Sequence, residues 1–260
     1  MAWTLQALLN ELRRNILHDR SDQVGGSATD YLWDDDTLIR YINEAQRRFA
    51  RKSLCIRDNT SPVTTFTTVA GQVAYPLDKS VIAVLSVRMT GDRQDLPRAG
   101  HDPLNSYHTP DTLFFDAAVL ERLPPGKALC WATDESVLEA SDTTFSAVNL
   151  TLYPMIAAPY DGVTGRLRVV REPINDFTSS NMAAVPEIPA SHHLDMLDWA
   201  GYLALRSPDT DVAGANAFQR AQDLANRFEV HCKDAWKLAM RKMFAQQEWA
   251  FGHNGWSWES

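Results

Sequence analysis

At 260 residues, 45% apolar and 10% aromatic, the chain is long and apolar enough to bury a core in one or two domains. Its formal net charge of −8 argues against a surface that grips nucleic acid through phosphates, since such affinity comes from clustered Lys and Arg. With 22% charged residues and no block of like charge, the composition is not that of a disordered chain.

The first residues place Leu5, Leu8, Leu9, Leu12 and Ile16 on one stripe, which predicts an amphipathic helix. They do not read as a signal peptide, because Arg13 and Arg14 follow the apolar residues. A polar, glycine-bearing loop runs from Asp19 to about Ala28. Trp33-Asp34-Asp35-Asp36 then opens a second helix, one Asp capping free backbone N–H groups and the others favouring the positive helix end. Leu38, Ile42, Ala45 and Phe49 face inward on it, and Arg47, Arg48, Arg51 and Lys52 suit its negative end.

From Ser61 the pattern becomes that of strands. Thr64 to Val69, a turn at Ala70-Gly71-Gln72, and Val73-Ala74-Tyr75 predict a hairpin. Val81 to Val87, Lys127 to Ala132, Val148 to Tyr153 and Leu167 to Val170 are further strands, with Pro154, Pro159 and Gly162 breaking the last two apart. The stretch 88–125, rich in Pro, Asp and Gly, reads as loop.

A soft linker at Ser179-Ser180-Asn181 leads to Pro186 and Pro189. Ser191 is expected to cap a third helix, whose Leu194, Met196, Leu197, Trp199, Leu203 and Leu205 go nearly all round and predict burial. Ser207-Pro208 starts a long helix to about Phe244, on the order of 50 Å, with Phe218, Ala221, Leu224, Phe228, Cys232, Ala235 and Ala239 on one face. Gln246 to Ser260 has four large aromatics, two glycines and no regular period. The expected fold class is therefore α+β. A helical bundle from 1–60 and 176–245, with one very long C-terminal helix, carries an inserted antiparallel β domain (61–175) and an extended C-terminal arm (246–260).

Chemistry is hard to find. There is no nucleophile elbow and no phosphate-cradling glycine loop. Three cysteines, Cys55, Cys130 and Cys232, lack C-x-x-C spacing, which disfavours a disulfide framework or zinc knuckle and fits a reducing compartment. His192-His193-x-Asp195 suggests a metal, but adjacent histidines on a helix point about 100° apart and cannot chelate together. His231-Cys232 falls on the long helix, where core packing explains the thiol better than nucleophilic chemistry does. The Asp34 to Asp36 triple could supply a magnesium site, yet a capped helix start accounts for it. Neither a catalytic residue, a metal nor a cofactor is expected. No run approaches the ~18 apolar residues that span a bilayer.

The tail is the exception. Trp249, Phe251, Trp256 and Trp258 stand where no secondary structure is indicated, and aromatics of this kind carry interface hot spots. They are the candidate partner-binding residues of an arm that orders on a neighbouring protein.

The order of elements resembles the head-to-tail adaptors of tailed bacteriophages, the neck or connector proteins. The resemblance rests on Trp33-Asp34-Asp35-Asp36-x-Leu38-x-x-Tyr41-x-Asn43-Glu44-Ala45-Gln46, on Gly71-Gln72-x-x-Tyr75-x-Leu77, on Leu150-x-Leu152-Tyr153-Pro154 with Pro159 following, and on a final helical pair from Ile188-Pro189 through Ala213 to Phe228. It spans 3–245 and leaves out the aromatic tail. It implies a structural, non-enzymatic homo-oligomer in the virion neck, a ring of twelve subunits that meets a portal protein and a tail or nozzle protein. DNA would pass through its channel without sequence-specific binding. A wall-degrading hydrolase working through two carboxylates, or a DNA-binding accessory protein, are the alternatives, but no carboxylate spacing singles out a pair.

Overall fold

The computed structural model describes residues 2–19, 31–99, 123–134, 148–206 and 216–250, with Asp134 and 243–250 described by backbone alone. It mixes helices with antiparallel sheets and divides into two units, Met1–Ile56 with Pro173–Ser260, and Arg57–Glu172.

The first unit is helical. α1 (Leu5–Glu11) starts at Thr4, whose hydroxyl accepts from the Ala7 N–H, and continues as a π-helical turn over Leu12–Leu17. Its stripe works as expected: Leu5, Leu8, Leu9 and Leu12 are fully buried. α2 (Asp35–Ser53) is capped by Asp34, which accepts from the Thr37 N–H at 3.1 Å. Between these helices lies a charged knot. Buried Arg13 donates at 2.7 Å to Asp19, to the Trp33 carbonyl and to Asp35, and its guanidinium lies 4.1 Å above the centre of the Tyr31 ring. A buried cation needs this degree of satisfaction.

The expected linker Ser179-Ser180-Asn181 is exposed, and the chain on either side of it forms a packed strap. Phe177 and Ile188 are buried, and the Asn43 amide clamps both backbone groups of Phe177 at 2.8 and 3.0 Å. Gln46, also buried, accepts from the Glu187 N–H, while the N–H groups of Leu5 and Gln6 donate to the Ala184 and Met182 carbonyls. The strap thus supplies acceptors to the first turn of α1, where helices lack them.

The third helix begins later than Ser191. Ala190–His192 form a 3₁₀ turn, α3 spans Leu197–Leu205, and Met196 at its N-cap gives no side-chain hydrogen bond. Buried His193 lies in the intervening turn: its Nδ1 accepts from the Trp3 N–H at 3.1 Å, and its Nε2 lies 3.0 Å from the Ile188 carbonyl. Met196, Leu197, Trp199 and Leu205 are buried as predicted, but Leu203 is half-buried and Leu194 is exposed.

α4 spans Ala217–Ala250. Residues 207–215, which include the expected start at Pro208, lie outside the described set. The helix buries Ala217, Ala221, Leu224, Phe228, Cys232, Ala235 and Ala239. Phe218, expected on that stripe, is 74% exposed, because Ala217 holds the inward position one turn before Ala221. The helix also continues through 246–250, which the arm was expected to include. Gln246-Gln247-Glu248-Trp249-Ala250 contains neither Gly nor Pro, and the first breaker is Gly252.

The second unit holds two antiparallel sheets, and the expected hairpin is not one. β2 (Thr65–Thr67) pairs with β7 (Thr164–Arg171), whereas β3 (Ala74–Pro76) pairs with β6 (Asn149–Tyr153) in the other sheet. Side chains pull the connection between sheets. The Thr68 hydroxyl bonds the Tyr160 carbonyl and the Val163 N–H, and the Tyr75 hydroxyl accepts from the Val69 N–H. Gly71 takes the left-handed φ of +79° that the corner requires.

The first sheet is completed by a short strand absent from the sequence reading, β1 (Arg57–Asp58), and by β4 (Val81–Met89), both on β7. The second is completed by β5 (Cys130–Asp134) on β6. The stretch read as loop from 88 is strand through Met89; Leu96 then bridges Val87 and Arg98 bridges Trp131, linking the edges of the two sheets. Residues 100–122 lie outside the described set. Tyr75, Leu77, Val84, Val87, Trp131, Leu150, Leu152, Leu167 and Val169 fill the core between the sheets.

Two predictions follow from this packing. A Cβ on Gly201 of α3 would lie 2.4 Å from Ile16 Cγ2 and 3.2 Å from Leu224 Cδ1. Gly201→Ala should therefore cost about 1–3 kcal/mol through overpacking, although Ala normally gains ~1 kcal/mol over Gly inside a helix. Urea denaturation decides between these, and a stabilised variant would show that Ile16 gives way freely.

In the second unit, buried Asp58 accepts from Arg171 Nε at 2.6 Å and from the Thr60 and Ser61 N–H groups. Burial raises this carboxyl, but the donors from Ser61, Thr60 and Arg171 outweigh burial and hold it far below the usual range. Its stabilisation is therefore complete above the unfolded value of ~3.9 and drains away as pH falls below it. Stability measured from pH 6 downward should fall more steeply in the parent than in Asp58→Asn; parallel curves would remove Asp58 from the account.

Candidate assembly surfaces

The residues that invited a chemical reading are occupied by structure. His193 is buried between Trp3 and Ile188; burial pushes its pKa down, and the Nδ1 acceptor role fits the neutral ring with its proton on Nε2. His192 turns away from it to Asp195, at 2.8 Å, as the divergence of adjacent side chains requires. Burial pushes the Cys232 thiol up to about 12, which makes it an inert core residue. The acidic triple is divided: Asp34 caps α2, Asp35 pairs with Arg13, and Asp36 faces solvent. Among the described residues no group of three or more His, Cys, Asp or Glu is placed to hold a metal, and no helix is long and apolar enough to cross a membrane.

A further buried carboxylate that escaped the sequence reading lies between two helices. Asp198 of α3 accepts from Arg227 of α4 at 2.7 Å through Oδ1, while buried Oδ2 has no hydrogen bond and lies 3.7 Å from His231 Nε2. Burial raises this carboxyl, and Arg227 and His231 oppose the rise. It clamps two helices to each other. No periodicity marks such a residue, because Asp198 sits inside an otherwise apolar run.

The described residues also present surface features. On α4, Phe218 and Trp236 are exposed at 74% and 42%, and Val230 and Leu238 are also exposed. A polar groove of about 370 Å³ runs beside α2, lined by Asp36, Arg40, Glu44, Arg47 and the strap residues Asp176 and Phe177. Arg47 and Asp176 form an ion pair across it. Of the four arm residues, Trp249 belongs to α4, described there by backbone alone, and Phe251, Trp256 and Trp258 lie outside the described residues.

The motifs behind the resemblance now have physical roles. Asn43 and Gln46 hold the strap while Ala45 is buried between α2 and the core. Gly71 and Tyr75 make the corner between sheets, with Leu77 buried beyond it. Leu150 and Leu152 fill the β core, and Pro159 lies in the 3₁₀ turn Ala158–Tyr160. A search of curated proteins finds no match to the chain. The family model described as SU10 adaptor protein matches residues 3–241, across both units. The chain belongs to the SU10 adaptor protein family and is a phage adaptor protein.

Proposed function

We propose that this chain is the subunit of a head-to-tail adaptor ring of twelve copies, seated in the phage neck between a portal protein and a tail or nozzle protein. DNA passes through the ring without sequence-specific binding. The observation that carries this reading is the family match over residues 3–241, which takes in the helical and the β unit alike. A non-enzymatic role is supported by the structural tasks of His193, Cys232, Asp34 and Asp35. The helical unit forms the ring body, and the β unit faces a neighbour or the tail side.

The portal contact is the C-terminal arm. Trp249, Phe251, Trp256 and Trp258 are its anchors, each able to bury ~150–250 Å². Since α4 runs through Ala250, Trp249 is presented on a helix and the arm proper begins at Phe251. Gly252 and Gly255 let that arm bend between anchors. Ordering a free segment costs free energy that only docking returns, so the arm orders on its partner. The isolated chain is a monomer or weak oligomer that closes into a ring on the portal, because no sustained heptad seam fixes a self-sufficient oligomer.

Ending the chain after Ala250 should leave the melting curve unchanged and abolish joining to purified capsids. Normal joining by the truncated chain, or its unfolding, would make the arm dispensable or part of the core.

A further inference from the structure

The β sheets sort arginines in a way that composition hides. Residues directly opposite each other in an antiparallel pair share a face. Along β7, Leu167 and Val169 point into the core together with their β4 partners Val87 and Val84. The other face therefore carries Arg166 and Arg168. Arg88 stands opposite Arg166, with Thr65 on its far side; Ser86 stands opposite Arg168, and Arg57 opposite Val170. Arg88 and Arg166 are exposed, and Arg57 and Arg168 are half-buried. Four guanidinium groups thus share one face of a chain whose net charge is −8.

For the directly opposed pair Arg88 and Arg166, folding supplies little compensation. Directly opposed like charges, with Cβ atoms ~5 Å apart, destabilise a sheet. Asp95 answers Arg88 through Nε at 2.7 Å, but that pair is about half exposed and is worth little. Arg166 makes no ion pair or hydrogen bond among the described residues. Burial, and then the charge of Arg168, push the Arg57 pKa down, so the crowding is felt across the face.

We propose that this face of the β unit is a docking surface for a carboxylate-rich face of a folded protein neighbour in the neck. The proposal rests on the adaptor reading and adds to it a surface and a partner chemistry. Guanidinium groups match carboxylates two bonds at a time, and Arg is enriched where protein interfaces bury their energy. Duplex DNA offers anions as well, but a long polyanion meets the field of the whole chain, which is repulsive at −8. A folded partner can present its carboxylates to this face alone, whereas a long polyanion must also run past the rest of the acidic chain. Ser86 and Thr65 stand on the same face, beside Arg168 and Arg166.

The full-length chain is titrated with a short fluorescent peptide of a few Glu residues and, separately, with a fluorescent DNA duplex, from physiological salt upward. The expected result is peptide binding that weakens with salt, falls about tenfold or more in Arg88→Glu/Arg166→Glu, and exceeds DNA binding. The neutral variant Arg88→Gln/Arg166→Gln should lose the same binding while melting no lower than the parent, since it relieves the opposed charges. Unchanged peptide binding in either variant, or tighter binding of DNA than of peptide, overturns the proposal. Capsid joining separates the two readings. A parent that joins heads to tails beside a Glu variant that joins equally well loses only the docking face, whereas a parent that does not join loses the adaptor reading.

Discussion

The helical unit depends on α3 having almost no solvent face. This short helix is packed against α2, α4 and the π-helical turn after α1, so segments from both ends of the chain are held through it. Its approach to the π-helical turn is so close that Gly201 has no room for a side chain beside Ile16. Around it, Arg48 lies 3.8 Å over the Trp199 ring, and Trp199 and Phe49 both meet Phe228 of α4. Burying α3 also buries Asp198, and the desolvation of that carboxylate is offset by Arg227, itself largely exposed on α4. A helix that joins distant segments needs such polar fixing, since apolar contacts alone leave rotation and register loosely determined.

The same logic explains the charged knot at Arg13. The first helix ends in a π turn with His18 at a left-handed φ of 55°, a reversal with little intrinsic preference. Asp19 accepts from the Leu32 N–H as well as from Arg13, so one buried ion pair ties the end of the first helix to the start of α2. Truncating Arg13 would strand a buried carboxylate, which is why this corner tolerates little change.

Local patterns read well from the sequence, and long-range partnerships did not. The α2 start was legible because Asp34 and the stripe of Leu38, Ile42, Ala45 and Phe49 obey rules that span only a few residues. The strands at Val81 and Leu167 were visible for the same reason. Pairing was not: β2 and β3 lie seven residues apart in the chain, yet each finds its partner beyond residue 148, and the Thr68 bonds to Tyr160 and Val163 come from more than ninety residues away. The strap was missed because its hydrogen bonds come from Asn43, Gln46 and α1, more than a hundred residues away. Phe218 was misplaced because a stripe can be continued to either of two neighbouring positions, and packing chose Ala217. For the surface, composition recorded a net charge of −8 and could not show that strand alternation gathers Arg57, Arg88, Arg166 and Arg168 on one face. The arm residues were singled out by composition alone, and Trp249 joined α4 because nothing before Gly252 stops a helix.

The ring on a portal proposed for this phage adaptor is open to direct test. Electron-microscope images of the purified chain mixed with the portal protein of the same virion test it most directly. The account predicts a closed ring of this chain stacked coaxially on the portal ring. Portal rings left bare, or decorated by separate copies that never close, would contradict it.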